Sequence, residues 1–114
     1  MLQGDGMAEF NQRRFLGALQ TLVELLQEHG NNDKWVDWFK NDHAVYMAAQ
    51  HQPGNATRKM AVVEHVMSTF GGMSDFVNIT LKDAETDERL QNISIQLWSA
   101  CRGLQGVLLA EMQE

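Results

Sequence analysis

Three stretches of this chain repeat their apolar residues at intervals of three and four, a spacing that fits one face of an α-helix. Phe15, Leu19, Leu22 and Leu26, widened by Leu16 and Val23, predict a helix from about Glu9 to Glu28, stopped by Gly30-Asn31. Met60, Val63, Met67 and Phe70 predict another from about Ala56 to Thr69. Leu90, Ile93, Leu97, Ala100, Leu104 and Leu108 predict the longest, from about Ala84 to Met112, with Asp83 as its cap. Between the first two, residues 33–51 carry Trp35, Trp38, Phe39 and Tyr46, with Asn32 placed to cap and Asp33 in the first turn. Asn41-Asp42 interrupts that pattern and Asp42 suits a fresh cap, so the segment reads as one bent helix or two short ones, ended by Pro53-Gly54. The expected fold is therefore all-α: a four-helix bundle, or five helices with the second split. It forms one domain over residues 9–114 behind a flexible tail of residues 1–8, rich in glycine and polar groups.

Composition narrows the class. A chain of 114 residues, 44% hydrophobic and 21% charged, suffices for a single buried core. One cysteine, Cys101, excludes an internal disulfide framework and reads as a small buried apolar residue. A reactive thiol would need a base and an electropositive setting, and neither is visible. No run approaches the roughly 20 apolar residues of a membrane span, and Met1 to Glu9 has no basic region followed by an apolar one. The N-x-S/T triplets at Asn55, Asn78 and Asn92 are then coincidence, and a cytoplasmic setting is expected.

The net charge of −6 is unevenly placed. Residues 1–60 carry six Lys/Arg against seven Asp/Glu, whereas residues 61–114 carry three against eight. Phosphate backbones repel such a surface, so nucleic acid is not an expected partner. A basic protein partner is, with charge acting on encounter rate and selectivity; keeping a small protein soluble explains the same charge.

The run from Phe70 through Gly71, Gly72, Met73, Ser74 and Asp75 to Leu81 is the one segment that helix packing alone does not account for. A glycine doublet marks a tight connection, and the alternation from Val77 to Leu81 suggests a short extended strap. Gly103 and Gly106 lie inside the last helix, each disfavouring it by roughly 1 kcal/mol, which points to a bend or a close approach, with Gly17 as the natural facing residue.

Chemistry-bearing patterns are sparse. No Glu has a His three residues later, as a carboxylate-bridged di-iron site requires. His29, His43, His51 and His65 are isolated, and His43 and His51 lie about 12 Å apart along a helix, too far to share an ion. The acidic run Asp83, Glu85, Asp87 and Glu88 suits a helix N-terminus and equally a basic partner. Gly71-Gly72 with Ser74 can present N–H groups to an anion, yet no lysine follows as in a P-loop. Trp35, Trp38, Phe39 and Tyr46 read most simply as core, but three rings within five residues cannot all face inward on a straight helix, which leaves room for one at the rim, Trp38 before the others. No metal, cofactor or catalytic group is expected.

The Phe70-Gly71-Gly72-Met73 segment, with apolar Phe76, Ile79 and Leu81, resembles a family of small bacterial domains of unknown function. The likeness spans about residues 12–110, with a Trp-bearing helix at Lys34 to Lys40 and a final helix through Asn92 to Trp98. Ser74 and Asp75 stand where that family has Gly-Ser, and Val77 and Asn78 where it has Asn-Asp. A polar site formed by the family residues would be altered here, whereas a turn would survive on Ser74, Asp75 and Asn78. The resemblance implies no activity, only a possible role opposite a bacterial toxin. The leading expectation is an acidic protein-binding module, an immunity-type inhibitor of a basic toxin or effector, touching it through Trp38, Asp83, Glu85, Asp87 and Glu88. The alternatives are a self-associating structural domain, with a homodimer face, and a small-ligand domain built on the Gly71-Gly72 loop.

Overall fold

Four amphipathic helices close on one another so that each buries its apolar stripe against two neighbours. In a computed structural model, residues 2–29, 33–52, 54–71, 76 and 83–113 are described, with side chains from residue 8 onward. The helices are α1 (Leu2–Glu28), α2 (Asp33–Ala49), α3 (Asn55–Ser68) and α4 (Ala84–Met112). α1 packs on α2 and α4, and α3 packs on the same two. The pairings Gln12–Tyr46, Asp42–His65 and Arg14–Ser99 place each sequential neighbour, and α1 with α4, in opposite directions. The result is an up-down-up-down four-helix bundle, the arrangement short connections favour. α1 and α4 each run about 40 Å at 1.5 Å per residue, which sets the 46 Å long axis.

The core takes Phe15, Leu19, Leu22 and Leu26 from α1, Phe39 and Tyr46 from α2, Val63 and Val66 from α3, and Leu97, Leu104 and Leu108 from α4. In α3 the inward stripe passes through Val66, while Met67 and Phe70 pack only partly against it. Asp83 caps α4 as expected: its carboxylate accepts the Thr86 N–H at 2.8 Å. The cap of α3 is Gly54, whose φ of 67° is left-handed. A glycine after Pro53 satisfies that conformation without the Cβ clash that other residues meet.

Two expectations need correction, and one open alternative is decided. α1 starts at Leu2, so the helix reaches back through most of the stretch expected to be a tail. Gly4 and Gly6 disfavour a helix by about 1 kcal/mol each but, unlike proline, keep their backbone N–H groups. Asn41-Asp42 does not break α2, because Asp42 is buried in mid-helix and bonded to α3. Gly17 makes no close approach, with open space where its Cβ would be, and the same holds for Gly106. The tight crossing is at Gly103, where a Cβ would overlap the Asn11 carboxamide of α1. The proposed cap Asn32, the Gly30-Asn31 stop and the strap over residues 77–81 lie outside the described residues.

Candidate functional site

The residues that sequence reasoning grouped as a site are not brought to one place by the described structure. Gly72, Met73, Ser74, Asp75 and Asn78 lie outside the described residues. Phe70 packs edge-on against Phe76 and Trp98, and the Gly71 N–H closes a turn on the Ser68 carbonyl at 3.1 Å. Phe76 is buried at 3% exposure as an aromatic plug against Trp35, Phe39 and Phe70. At the start of α4, Glu85 and Glu88 are exposed and Asp87 is half-buried, while Asp83 serves as the cap. Trp38 is the one of the four clustered rings that is not buried, yet it is held inside the fold. Its indole N–H donates to Thr69 Oγ1 at 2.9 Å, and its face lies 4.3 Å from the His65 ring. Trp98, on α4, is the more exposed tryptophan at 38%.

Following Trp38 inward leads to a cluster that the sequence pattern did not announce. The His65 Nδ1–H, on α3, donates to Asp42 Oδ1, on α2, at 2.6 Å. Since an ionised carboxylate only accepts, this bond fixes the ring's orientation and leaves Nε2 for another partner. The supporting groups are themselves held: Thr69 Oγ1 donates to the His65 carbonyl at 3.3 Å and Ser68 Oγ at 2.6 Å. The imidazole is thus clamped by a carboxylate at one edge, an indole on one face and its own helix behind it. Asp42 is 3% exposed, and its second oxygen, Oδ2, is buried with no hydrogen-bond partner among the described residues. Burial drives the Asp42 carboxyl above the usual carboxylate range, against the opposing charge and hydrogen bond of His65.

This pair forms one end of an open groove of about 530 Å³ between α2 and α3. Because the two helices run antiparallel, its lining follows from register. Asn41, Asp42 and His65 meet at one end, and Gln52 and Arg58 mark the other. The middle is apolar, walled by Val45, Ala48, Ala49, Ala61 and Val62. Alanines leave the space that larger side chains would fill. The size and the mix of apolar walls with a few fixed polar groups are those of a small-molecule site.

On the core side, Cys101 is fully buried, and its thiol is pushed up to about 12 by burial and, secondarily, by the Asp42 charge. It is therefore an inert thiol despite its nearness to a histidine-bearing cluster. Native protein at pH 8 should resist alkylation by iodoacetamide and react fully in denaturant; rapid native labelling would contradict this burial. A second polar tie, Tyr46 O–H and Lys59 Nζ both donating to Gln12 Oε1 at 2.8 and 3.1 Å, links three helices and serves packing. Among the described residues no three His, Cys, Asp or Glu side chains converge to hold a metal ion, and no helix is long and apolar enough to cross a membrane.

Comparison with known protein families, characterised proteins and solved structures finds no match to this chain. The likeness at Phe70 to Met73 therefore assigns no family, and function rests on the geometry above.

Proposed function

We propose that the protein is a small-ligand-binding helical bundle whose site is the groove between α2 and α3. The observation that carries this reading is the groove itself, about 530 Å³ with apolar walls, ending on a His65 ring that is held by buried Asp42, whose second oxygen has no partner among the described residues. An unsatisfied buried group weakens a fold, by about 1–3 kcal/mol, and a position that keeps one is a functional candidate. The rigid setting of His65 adds the preorganisation that binding sites require.

The test is titration of the isotope-labelled protein with anilinonaphthalene sulfonate, an amphiphile that reports apolar sites. Amide shifts should centre on Val45, Ala48, Ala61, Val62 and His65, and should be lost in Ala61→Trp, which fills the groove. Shifts centred elsewhere, or unchanged in Ala61→Trp, would refute the reading.

A second reading keeps the protein-docking role expected from the acidic run, with a basic partner such as a toxin or effector. Its support is that Glu85 and Glu88 are exposed at the start of α4, while Ile95 and Trp98 are exposed farther along the same helix. Glu88 and Ile95 are seven residues apart and so share a face. If a partner is recovered from the native host, reversing Glu85 and Glu88 to Lys should slow its association. An unchanged association rate removes these residues from the role.

A further inference from the structure

The charged side chain that a ligand reaches most openly in the groove is a cation, Arg58. Asp42 is the carboxylate of its lining, but one oxygen is engaged by His65 and the other has no accessible surface. The reachable polar groups are His65, whose side chain is 42% exposed, the Arg58 guanidinium, and the amides of Asn41 and Gln52. In a chain of net charge −6, this groove offers an entering molecule the Arg58 cation and hydrogen-bond donors, and the one carboxylate of its lining, Asp42, is engaged by His65 and turned away from the groove's accessible surface. His65 and Arg58 are separated by seven residues of α3, about 10 Å along the helix, and apolar Val45, Ala48, Ala49, Ala61 and Val62 lie between. Such a layout complements an extended apolar body with an anionic head.

We propose that the groove binds a medium-chain aliphatic carboxylate, its head on His65 Nε2 and its chain laid along the alanine-lined wall toward Arg58. The proposal rests on the small-ligand reading above and adds the charge and shape of the ligand. His65, and not Arg58, takes the head because its ring is already fixed by Asp42, Trp38 and its own helix, so little rotamer freedom remains to be lost on binding. In the complex each ring nitrogen faces a carboxylate oxygen, Asp42 on the Nδ1 side and the ligand on the Nε2 side. Arg58, exposed and solvated, lays its methylene stem along the chain and contributes a weaker, screened attraction. The Asp42–His65 pair is then a positioning device whose outer nitrogen does the recognition.

The experiment is a nuclear magnetic resonance titration of the full chain with sodium octanoate, octylammonium chloride and 1-octanol in parallel. Octanoate should shift the amides of Val45, Ala48, Ala61, Val62 and His65 saturably, at least tenfold more tightly than octylammonium and more tightly than octanol. His65→Gln should weaken octanoate tenfold or more and leave octanol within about twofold. Arg58→Gln, at an exposed site where folding is not at stake, should weaken octanoate a few-fold and reduce its dependence on salt. Equal or tighter binding of octylammonium in the groove would overturn the ligand assignment while leaving the groove as the site. If none of the three probes shifts the groove residues, both this proposal and the reading it rests on fall. Octanoate binding untouched by either substitution would also overturn the head-group assignment.

Discussion

Phe76→Ala should lower the unfolding free energy by about 3–5 kcal/mol, the range for removing a fully buried aromatic ring. Phe76 sits at 3% exposure, with ring centroids of Trp35 and Phe39 each 5.2 Å away and that of Phe70 at 5.5 Å. All three neighbours meet it edge to face, an arrangement that adds to the area buried. The substitution would empty the space between α2 and the end of α3, and no described side chain stands ready to refill it. Urea unfolding followed by tryptophan fluorescence reads the loss directly, because Trp35 lines the cavity. Phe10→Ala, at a ring 54% exposed, is the matched control and should change stability by less than about 0.5 kcal/mol. A loss below about 1 kcal/mol for Phe76→Ala would mean that the connection between α3 and α4 is not anchored by this ring.

The second large effect concerns two glycines three residues apart in α4. Gly106→Ala should stabilise the protein by about 1 kcal/mol, since alanine is the better helix former and nothing lies within 4 Å of the new Cβ. Gly103→Ala should have the opposite sign. Its Cβ would overlap the Asn11 carboxamide, with Cγ at 3.2 Å, and Asn11 is 5% exposed and held at the α1–α4 crossing. Overpacking of that kind is worth about 1–3 kcal/mol, so it exceeds the gain in helix propensity, and Gly103→Leu should reach the upper end. Asn11→Ala combined with Gly103→Ala should recover part of the loss, because the double substitution removes the clash that each residue makes with the other. The same sign at Gly103 and Gly106 would show that the crossing is looser than described.

What could be read from the sequence was what depends on local periodicity. The stripe Leu90, Ile93, Leu97, Ala100, Leu104 and Leu108, with Asp83 before it, specifies a helix, its buried face and its cap without reference to any other element. The groove was not legible, because Asp42 and His65 are 23 residues apart and meet only once α2 and α3 pair in register. Asn41-Asp42 resembled an interruption because both residues favour caps and turns over helix interiors. Burial against α3 overrides that preference. One signal was available: positions 35, 39, 42, 46 and 49 run at spacings of four and three, which places an aspartate in the inward stripe. A charged residue in register with Trp35, Phe39 and Tyr46 calls for a partner, and an isolated histidine at helical spacing on another segment can supply one. Likewise, Gly103 advertised a close contact, but whether Gly17 or Asn11 faced it depended on where the helices cross.

On the proposal that Asp42 is kept at the groove for binding and not for stability, the most direct test is the unfolding free energy of Asp42→Asn, measured from pH 7 down to pH 3. Burial raises the Asp42 carboxyl in the folded chain above its ordinary value of about 3.9. Between those two values the folded state holds a proton that the unfolded state lacks, so wild-type stability falls as pH rises through that window and stays lowered above it. Asp42→Asn removes this term while keeping an oxygen to accept from His65 Nδ1. The variant should therefore be more stable than wild type at pH 7 by about 1 kcal/mol, the scale of a desolvated polar group less its hydrogen bond, with the gap closing toward pH 3. A variant that is less stable at pH 7, by an amount unchanged at low pH, would make Asp42 a structural tie between α2 and α3 and would contradict the account.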